Sequence, residues 1–380
     1  MPWKNTNMED MRLNFILSVL AKEGYFTEIC SAFGISPKTG YKWLNRYNEE
    51  GKEGLKNKSR KPHNRPRDTP LKLESAIIAK KLRHPRWGPK KIRTVLIKDA
   101  PNKSWPSETT VANILKRNGY VSKAYKREKL ALTAPLEECK TSNDVWSADF
   151  KGWWKVLDGN ICQPFTLLDT HSRFLFTCQH SQSTSITSVQ PILTEIFQEF
   201  GMPRRFRSDN GPPFATKSVG RLSRLSIWLI KLGVTPEWIT PGKPQENGIH
   251  ERMHRTLKEE ISRTKEENLK EQDKSLAHFQ YEYNFIRPHE ALALETPSNV
   301  YRPSNRKWTG EIKDPIYNDT YETRIVNKRG AVSWKGIRFF TSEILYGELV
   351  GIKQRNQVYE VYFGPVLLGR IDPVFGYKRV

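Results

Sequence analysis

Apolar positions along the chain change their period twice, and each change marks a different kind of structure. Leu13, Ile16, Leu17 and Leu20 recur at i, i+3, i+4 and i+7, the spacing of one helical face, and Ile29 and Phe33 mark a second short helix from Thr27. In "FGISPKTGYKWLNRY", Gly34 supplies a turn, Ser36 an N-cap and Pro37 the first helical position, and Trp43, Leu44 and Tyr47 give the third helix its apolar face. Residues 1–50 thus predict a helix-turn-helix whose Lys38, Thr39, Tyr41, Lys42 and Arg46 face DNA, a bare three-helix packing unit being the plainer alternative. Residues 51–70 are rich in Lys, Arg, Pro and Asn and predict a solvated basic linker that contributes to no core. Helical spacing returns at Ile77, Ile78 and Leu82, at Ile92, Val95 and Leu96, and at Val111, Ile114 and Leu115. Trp87-Gly88-Pro89 turns between the first two of these and Ser107 caps the last, so a second helix-turn-helix, winged-helix-like, is expected over 71–122, followed by a linker over 123–143.

From Asp144 the texture becomes strand-like. "VWSADFKGWWKV", "CQPFTLLD" and "RFLFTCQH" predict an antiparallel meander, "VQPILTEIFQEF" a helix and "RRFRSD" a short strand. A helix after Gly211, a brief strand near "PEWI" and a long helix from about Gln245 complete an α/β sandwich on a mixed sheet over 144–300. In a ribonuclease-H-like topology the strand bearing Asp149 lies beside the strand ending in Asp209, and the long helix carries Glu251 over that edge. After a linker at 301–320, the runs "YETRIV", "AVSWK", "IRFF", "ELVGIK" and "VYEVYF" predict a small all-β, SH3-like barrel over 321–380.

With 37% hydrophobic residues in 380, the chain can bury several cores. Cys30, Cys139, Cys162 and Cys178 include no C-x-x-C pair, which argues against a disulfide framework or a zinc ribbon. The opening "MPWKNTNMEDMRLNF" lacks a secretory apolar core, and no run of membrane-spanning length follows, so a soluble, cytoplasmic protein without a membrane partner is expected. The net charge of +22 is unevenly placed: residues 1–140 hold 30 Lys and Arg against 14 Asp and Glu, 141–320 hold 23 against 22, and 321–380 hold 10 against 5. Two basic flanks around a nearly neutral middle point to nucleic acid as the polyanionic partner.

The chemistry concentrates in three acids: Asp149 in "VWSADFKGWW", Asp209 in "FRSDNGPPF" and Glu251 in "PQENGIHERMHRTLK". Taken singly, an Asp or Glu at a strand end serves as a turn or cap residue. Together, a buried strand, a strand end before an Asn-Gly turn and the first turn of a helix are settings from which carboxylates can converge on a metal. Magnesium takes hard oxygen ligands, and three carboxylates can hold two ions about 3.5–4 Å apart for in-line phosphodiester chemistry. Arg255 and Lys258 lie at i+4 and i+7 from Glu251, on the same helical face, where they could hold strand phosphates or form a solvated polar face.

The segments "WSADF", "SDNGPPF", "PQENGIHERMHRTLK" and "YNFIRPHEAL", in that order, resemble the DDE transposases of bacterial insertion sequences, whose core is similar to that of retroviral integrases. The resemblance implies Asp149, Asp209 and Glu251 as a triad for Mg2+, with Mn2+ a substitute and two ions bound. It also implies cleavage at the ends of a mobile element and joining of a 3′-hydroxyl to target DNA. Double-stranded DNA, as terminal repeats and as target, is the implied partner, and a homo-oligomer the implied active form. Arg287 and His289 match a motif of structural role, while Asn210, Gly211, Asn247 and Gly248 shape the loops around the second and third acids. Two departures from the integrase pattern stand out: 41 residues separate Asp209 from Glu251, and the His-His-Cys-Cys zinc domain is replaced by helix-turn-helix units.

Three rival readings remain. Asp169 in "LLDTHSR" could be a third ligand, although its strand should carry it to the opposite end of the sheet. His250, Glu251 and His254 spell H-E-x-x-H, the signature of a zinc protease. A chain that binds DNA as a regulator without catalysing is the third.

Overall fold

The computed structural model describes residues 8–58, 69–121, 136, 139–261, 266–372 and 376–379. The chain forms two compact units, residues 1–69 and 70–380. The linker expected at 123–143 lies largely outside the described residues, as does the part of the basic linker at 59–68.

In the first unit α1 (Met8–Leu20), α2 (Phe26–Ala32) and α3 (Pro37–Glu50) close around Phe15, Ile16, Ile29, Cys30 and Trp43. The Ser36 side chain accepts from the Thr39 amide, with Pro37 in the first turn, so the sequence cap starts the third helix as expected. Gly40 faces α1 and α2: a Cβ there would stand 2.6 Å from Cys30 Sγ and 3.0 Å from the rings of Phe15 and Phe26, so only glycine lets α3 pack this close. One expectation fails at the start of the basic linker. Residues Gly51–Leu55 form a 3-10 turn, and Leu55 is fully buried in this core, with Arg12 donating to its carbonyl at 2.7 Å. A single apolar residue in a charged run carries no periodicity, yet burying it still gains about 1.5–3 kcal/mol.

The second unit begins with α4 (Leu71–Arg83), α5 (Pro89–Asp99) and α6 (Glu108–Arg117), packed around Ile77, Trp87, Ile92, Val95, Val111 and Ile114. Its central sheet runs β5 (Leu175–His180), β4 (Pro164–Asp169), β1 (Val145–Phe150), β6 (Arg205–Ser208) and β7 (Thr235–Trp238). The first three strands are antiparallel, and β1–β6 and β6–β7 are parallel. Helices α7 (Ile186–Phe200) and α8 (Arg224–Lys231) bury Leu193, Phe197 and Trp228 with Trp146 and Phe165. On another apolar cluster α9 (Gly248–Ile261) and α10 (Leu269–Tyr281) bury Met253, Leu257, Leu276 and Phe279 with Leu168 and Leu175. A short α11 (Pro297–Val300) follows.

The meander departs from the expected single run. "VWSADFKGWWKV" breaks after Phe150, Gly152 takes φ +90°, and a hairpin of β2 (Trp154–Lys155) and β3 (Ile161–Cys162) is interposed before β4. Nor does a helix follow Gly211 directly. A loop with a short 3-10 turn runs to Ser223, whose side chain caps α8 by accepting from the Ser226 amide.

The strand-rich C-terminal region holds β8 (Glu322–Ile325), β9 (Ala331–Trp334), β10 (Ile337–Phe340), β11 (Leu349–Arg355), β12 (Val358–Phe363), β13 (Val366–Asp372) and β14 (Gly376–Arg379). The last two strands go beyond the sequence expectation. Five strands form a sheet in the order β14-β13-β12-β11-β8, and β9–β10 is a separate hairpin whose Val332, Trp334 and Phe339 share its core. Val219, Leu222, Ile227 and Ile230 enter the same core, and Lys231 pairs with Glu348 at 3.0 Å and Asp314 at 2.9 Å, which seats this region on α8. Among the described residues no helix is long and apolar enough to cross a membrane.

Candidate active site

The site forms where strand register and one helix meet. In the parallel β1–β6 pair, Val145 lies opposite Arg205 and Ser147 opposite Arg207, so Asp149, two residues on, is level with Asp209 just past the end of β6. Gly211 donates its N–H to Asp209 Oδ1 at 3.1 Å, and Asn210 donates to the Ile239 carbonyl at 2.8 Å while accepting from Arg221 at 3.1 Å, so the loop is held at both ends. Arg207 pairs with Glu237 at 2.7 Å and reaches the Glu246 carbonyl at 3.4 Å, supporting the turn that enters α9.

Helix α9 is fastened to β1 through buried polar groups. Ser147 Oγ donates to Asn247 Oδ1 at 2.6 Å, and His250 Nδ1 lies 3.1 Å from the same hydroxyl oxygen. Thr166, directly opposite Asp149 on β4, places its Oγ1 2.7 Å from His250 Nε2, 2.8 Å from His254 Nε2 and 2.9 Å from the Asp149 carbonyl oxygen. His250 and His254 are buried, whereas Glu251, in the first turn of α9, is exposed, and its charge still acts on Asp149. Arg255 and Lys258 are exposed on the face that Glu251 shares by spacing.

The electrostatics fit a cation. Burial, reinforced by the charges of Asp209 and Glu251, pushes the Asp149 carboxyl up to about 7, and burial also raises Asp209. Among the described residues neither carboxylate forms an ion pair with Lys or Arg; the charged-type contact of Asp149 is His254 Nδ1 at 3.6 Å. Crowded carboxylates without a basic partner are a donor set suited to a divalent ion. Among the described residues, the group whose ligand atoms all lie within 4.8 Å of one another is Asp149, His250 and His254, rather than the three carboxylates. Burial holds His250 down to about 3 and His254 to about 2, so both rings are neutral.

This arrangement does not suit the H-E-x-x-H zinc reading. Both nitrogens of His250 already have partners, Ser147 and Thr166. Asp169 stands at the other end of β4, fully buried, accepting from Ser172 N at 2.7 Å, Ser172 Oγ at 2.6 Å and Asn143 N at 2.8 Å. It closes a turn and is remote in the strand from Thr166 and Asp149. Arg287 pairs with Glu260 on α9, and His289 sits edge-on to Tyr283 with ring centroids 4.7 Å apart, so this motif braces the helix of Glu251.

The expected DNA-facing residues of α3 belong to the first unit. Lys38, Tyr41 and Lys42 are exposed, whereas Thr39 is half-buried in the helix cap and Arg46 half-buried over the Trp43 ring at 5.2 Å. Tyr41 stacks on Phe26 with centroids 4.2 Å apart, so its ring also serves the fold. Ser147 and Thr166 had no sequence signal beyond lying on the strands that flank the site, since a small hydroxyl residue in an apolar run carries no motif.

Residues 140–244 and 232–297 match the integrase core domain, 11–63 a helix-turn-helix domain and 39–115 a homeodomain-like domain. The chain is 34% identical over 152 residues to the Gag-Pol polyprotein of baboon endogenous virus, covering 37% of the chain and 8% of that polyprotein. It is 35% identical over 105 residues to the Pol polyprotein of feline endogenous virus ECE1, covering 27% of the chain and 10% of that polyprotein. The chain therefore spans a tenth or less of the length of these relatives. These relatives are retroviral and endogenous-viral, whereas the sequence motifs resemble those of bacterial insertion sequences. Among solved structures, the catalytic core of BIV integrase aligns with a TM-score of 0.33 at 22% identity, covering 42% of this chain and 93% of that one. The simian T-cell lymphotropic virus intasome aligns with a TM-score of 0.36 at 15% identity, covering 82% and 98%.

Proposed function

We propose that the chain, whose residues 140–244 and 232–297 match the integrase core domain, is a DDE protein of the integrase/transposase superfamily and a polynucleotidyl transferase that cuts DNA at the ends of a mobile element and joins the freed 3′-hydroxyl to target DNA. The observation that carries this reading is the β1–β6 register, which brings Asp149 level with Asp209 beside the helix of Glu251. Asp149, Asp209 and Glu251 would hold Mg2+, or Mn2+ in its place, as two ions. Such ions, when bound, activate the attacking oxygen and stabilise the leaving one.

The chain's own groups supply the rest. Arg255 and Lys258, exposed beyond Glu251, hold the phosphates of the reacting strand. Lys38, Tyr41 and Lys42, with Thr39 and Arg46 behind them, face the element's terminal repeats, and the basic flanks add sequence-independent affinity. Two element ends must meet, so a homo-oligomer is the working form.

Strand transfer on oligonucleotides carrying the terminal repeats, with Mg2+, tests the proposal. Cleavage and joining that vanish in Asp149→Asn support it. DNA binding without either step would favour a regulator instead.

A further inference from the structure

The two histidines flanking Glu251 are buried, and their hydrogen bonds decide which nitrogen each leaves bare. Ser147 has one hydroxyl proton and donates it to Asn247 Oδ1 at 2.6 Å. His250 Nδ1, 3.1 Å from that hydroxyl oxygen, therefore donates to it, and a neutral imidazole that donates through Nδ1 accepts through Nε2. Thr166 Oγ1 faces two acceptors, His250 Nε2 at 2.7 Å and the Asp149 carbonyl at 2.9 Å, and its single proton is spent between them. His254 Nε2, 2.8 Å from the same oxygen, is left to donate to it. With its proton on Nε2, His254 turns a bare Nδ1 lone pair toward Asp149 Oδ2 at 3.6 Å. When Asp149 is ionised, two acceptors face each other in a partly buried space and repel, and a cation between them removes the conflict.

Building on the metal-site reading above, we propose that His254 Nδ1 is a fourth protein donor to this site, binding the same ion as Asp149. Two donors about 2.1–2.2 Å from one ion, in adjacent coordination positions, stand roughly 3.0–3.6 Å apart, which matches the observed pair. His250 is not a ligand but a holder. The chain Asn247–Ser147–His250–Thr166 fixes the tautomer and ring orientation of His254, as hydrogen bonds behind a metal ligand commonly do. A nitrogen donor among carboxylates shifts preference toward Mn2+, because imidazole suits transition metals while Mg2+ seeks hard oxygen.

Pulsed EPR on the full-length protein with Mn2+ alone tests this. The wild type should show directly coordinated 14N, replaced by a 15N signature when histidine is 15N-labelled. The coupling should be absent in His254→Gln, with Mn2+ affinity falling about tenfold. Bound Mn2+ without nitrogen coupling, or coupling that survives in His254→Gln, overturns the assignment of His254 and leaves the carboxylate site standing. A wild type that binds no Mn2+ overturns the carboxylate site itself. Should His254→Gln fail to fold, Thr166→Val removes the hydroxyl that receives His254 Nε2–H: a weakened coupling supports the chain, and an unchanged one overturns it.

Discussion

Ser147 donates its hydroxyl proton to Asn247 across 100 residues of sequence, two positions before Asp149 and four before Glu251. The strand of one carboxylate is thereby tied to the helix of another. Both residues are buried, so the bond is made in a place where an unmade one is expensive.

Ser147→Ala should cost about 1–3 kcal/mol, because Asn247 Oδ1 and His250 Nδ1 each lose a buried partner. Urea unfolding measures it. A cost near zero would mean that the two groups find other partners and that the tie does not seat α9.

Asp149→Asn should abolish cleavage and joining while DNA affinity stays within about twofold, since the basic flanks that neutralise phosphates are untouched. Gel-shift and strand-transfer assays on the same preparation separate the two effects. Loss of both together would contradict that division of labour.

The folded Asp149 carboxyl, raised to about 7 against an ordinary value of 3.8, binds its proton more tightly in the native chain than in the unfolded one. Metal-free protein should therefore lose stability as pH rises from about 4 through 7. Asp149→Asn should flatten that slope and stabilise the metal-free protein at pH 8, by on the order of 1–3 kcal/mol. Mg2+ should raise the wild-type melting temperature above pH 7 and do little at pH 5. Thermal melts across this range, with and without the ion, check both statements.

Arg287→Ala should destabilise by about 2–4 kcal/mol, because Glu260 would be left partly buried without its counter-ion. Burial raises the Glu260 carboxyl and Arg287 opposes that rise, so the penalty should be larger at pH 8 than at pH 5, where Glu260 can take up a proton. A pH-independent loss would point to packing alone.

Residues 70–380 should fold cooperatively without residues 1–69, since each unit has its own core, and should bind DNA with reduced preference for the terminal repeats. Competition binding with repeat and random duplexes measures the preference. A truncated chain that still selects its ends would remove α3 from recognition.

Most helices were legible because their signals are local. Ser36 and Ser107 cap where expected, and the apolar spacing from Val111 to Leu115 becomes a buried stripe. The pairing of β1 with β6 was the one a ribonuclease-H-like topology implies, and its register sets Asp149 level with Asp209. Local pattern failed where one residue overruled its neighbours. Gly152 broke an apparently continuous strand, Leu55 was drawn into a core from a charged run, and β13 and β14 extended a sheet that turn signals had ended earlier.

Residue order alone named the three carboxylates as candidates and predicted the helix that carries Glu251, because chemistry type and spacing are written in one dimension. It could not decide what the two histidines of "HERMH" do. That depended on Ser147 and Thr166, each about 80 to 100 residues away, whose single hydroxyl protons set which imidazole nitrogen stays bare. A hydrogen bond is a matter of a few tenths of an ångström between distant segments, and only packing in three dimensions fixes it.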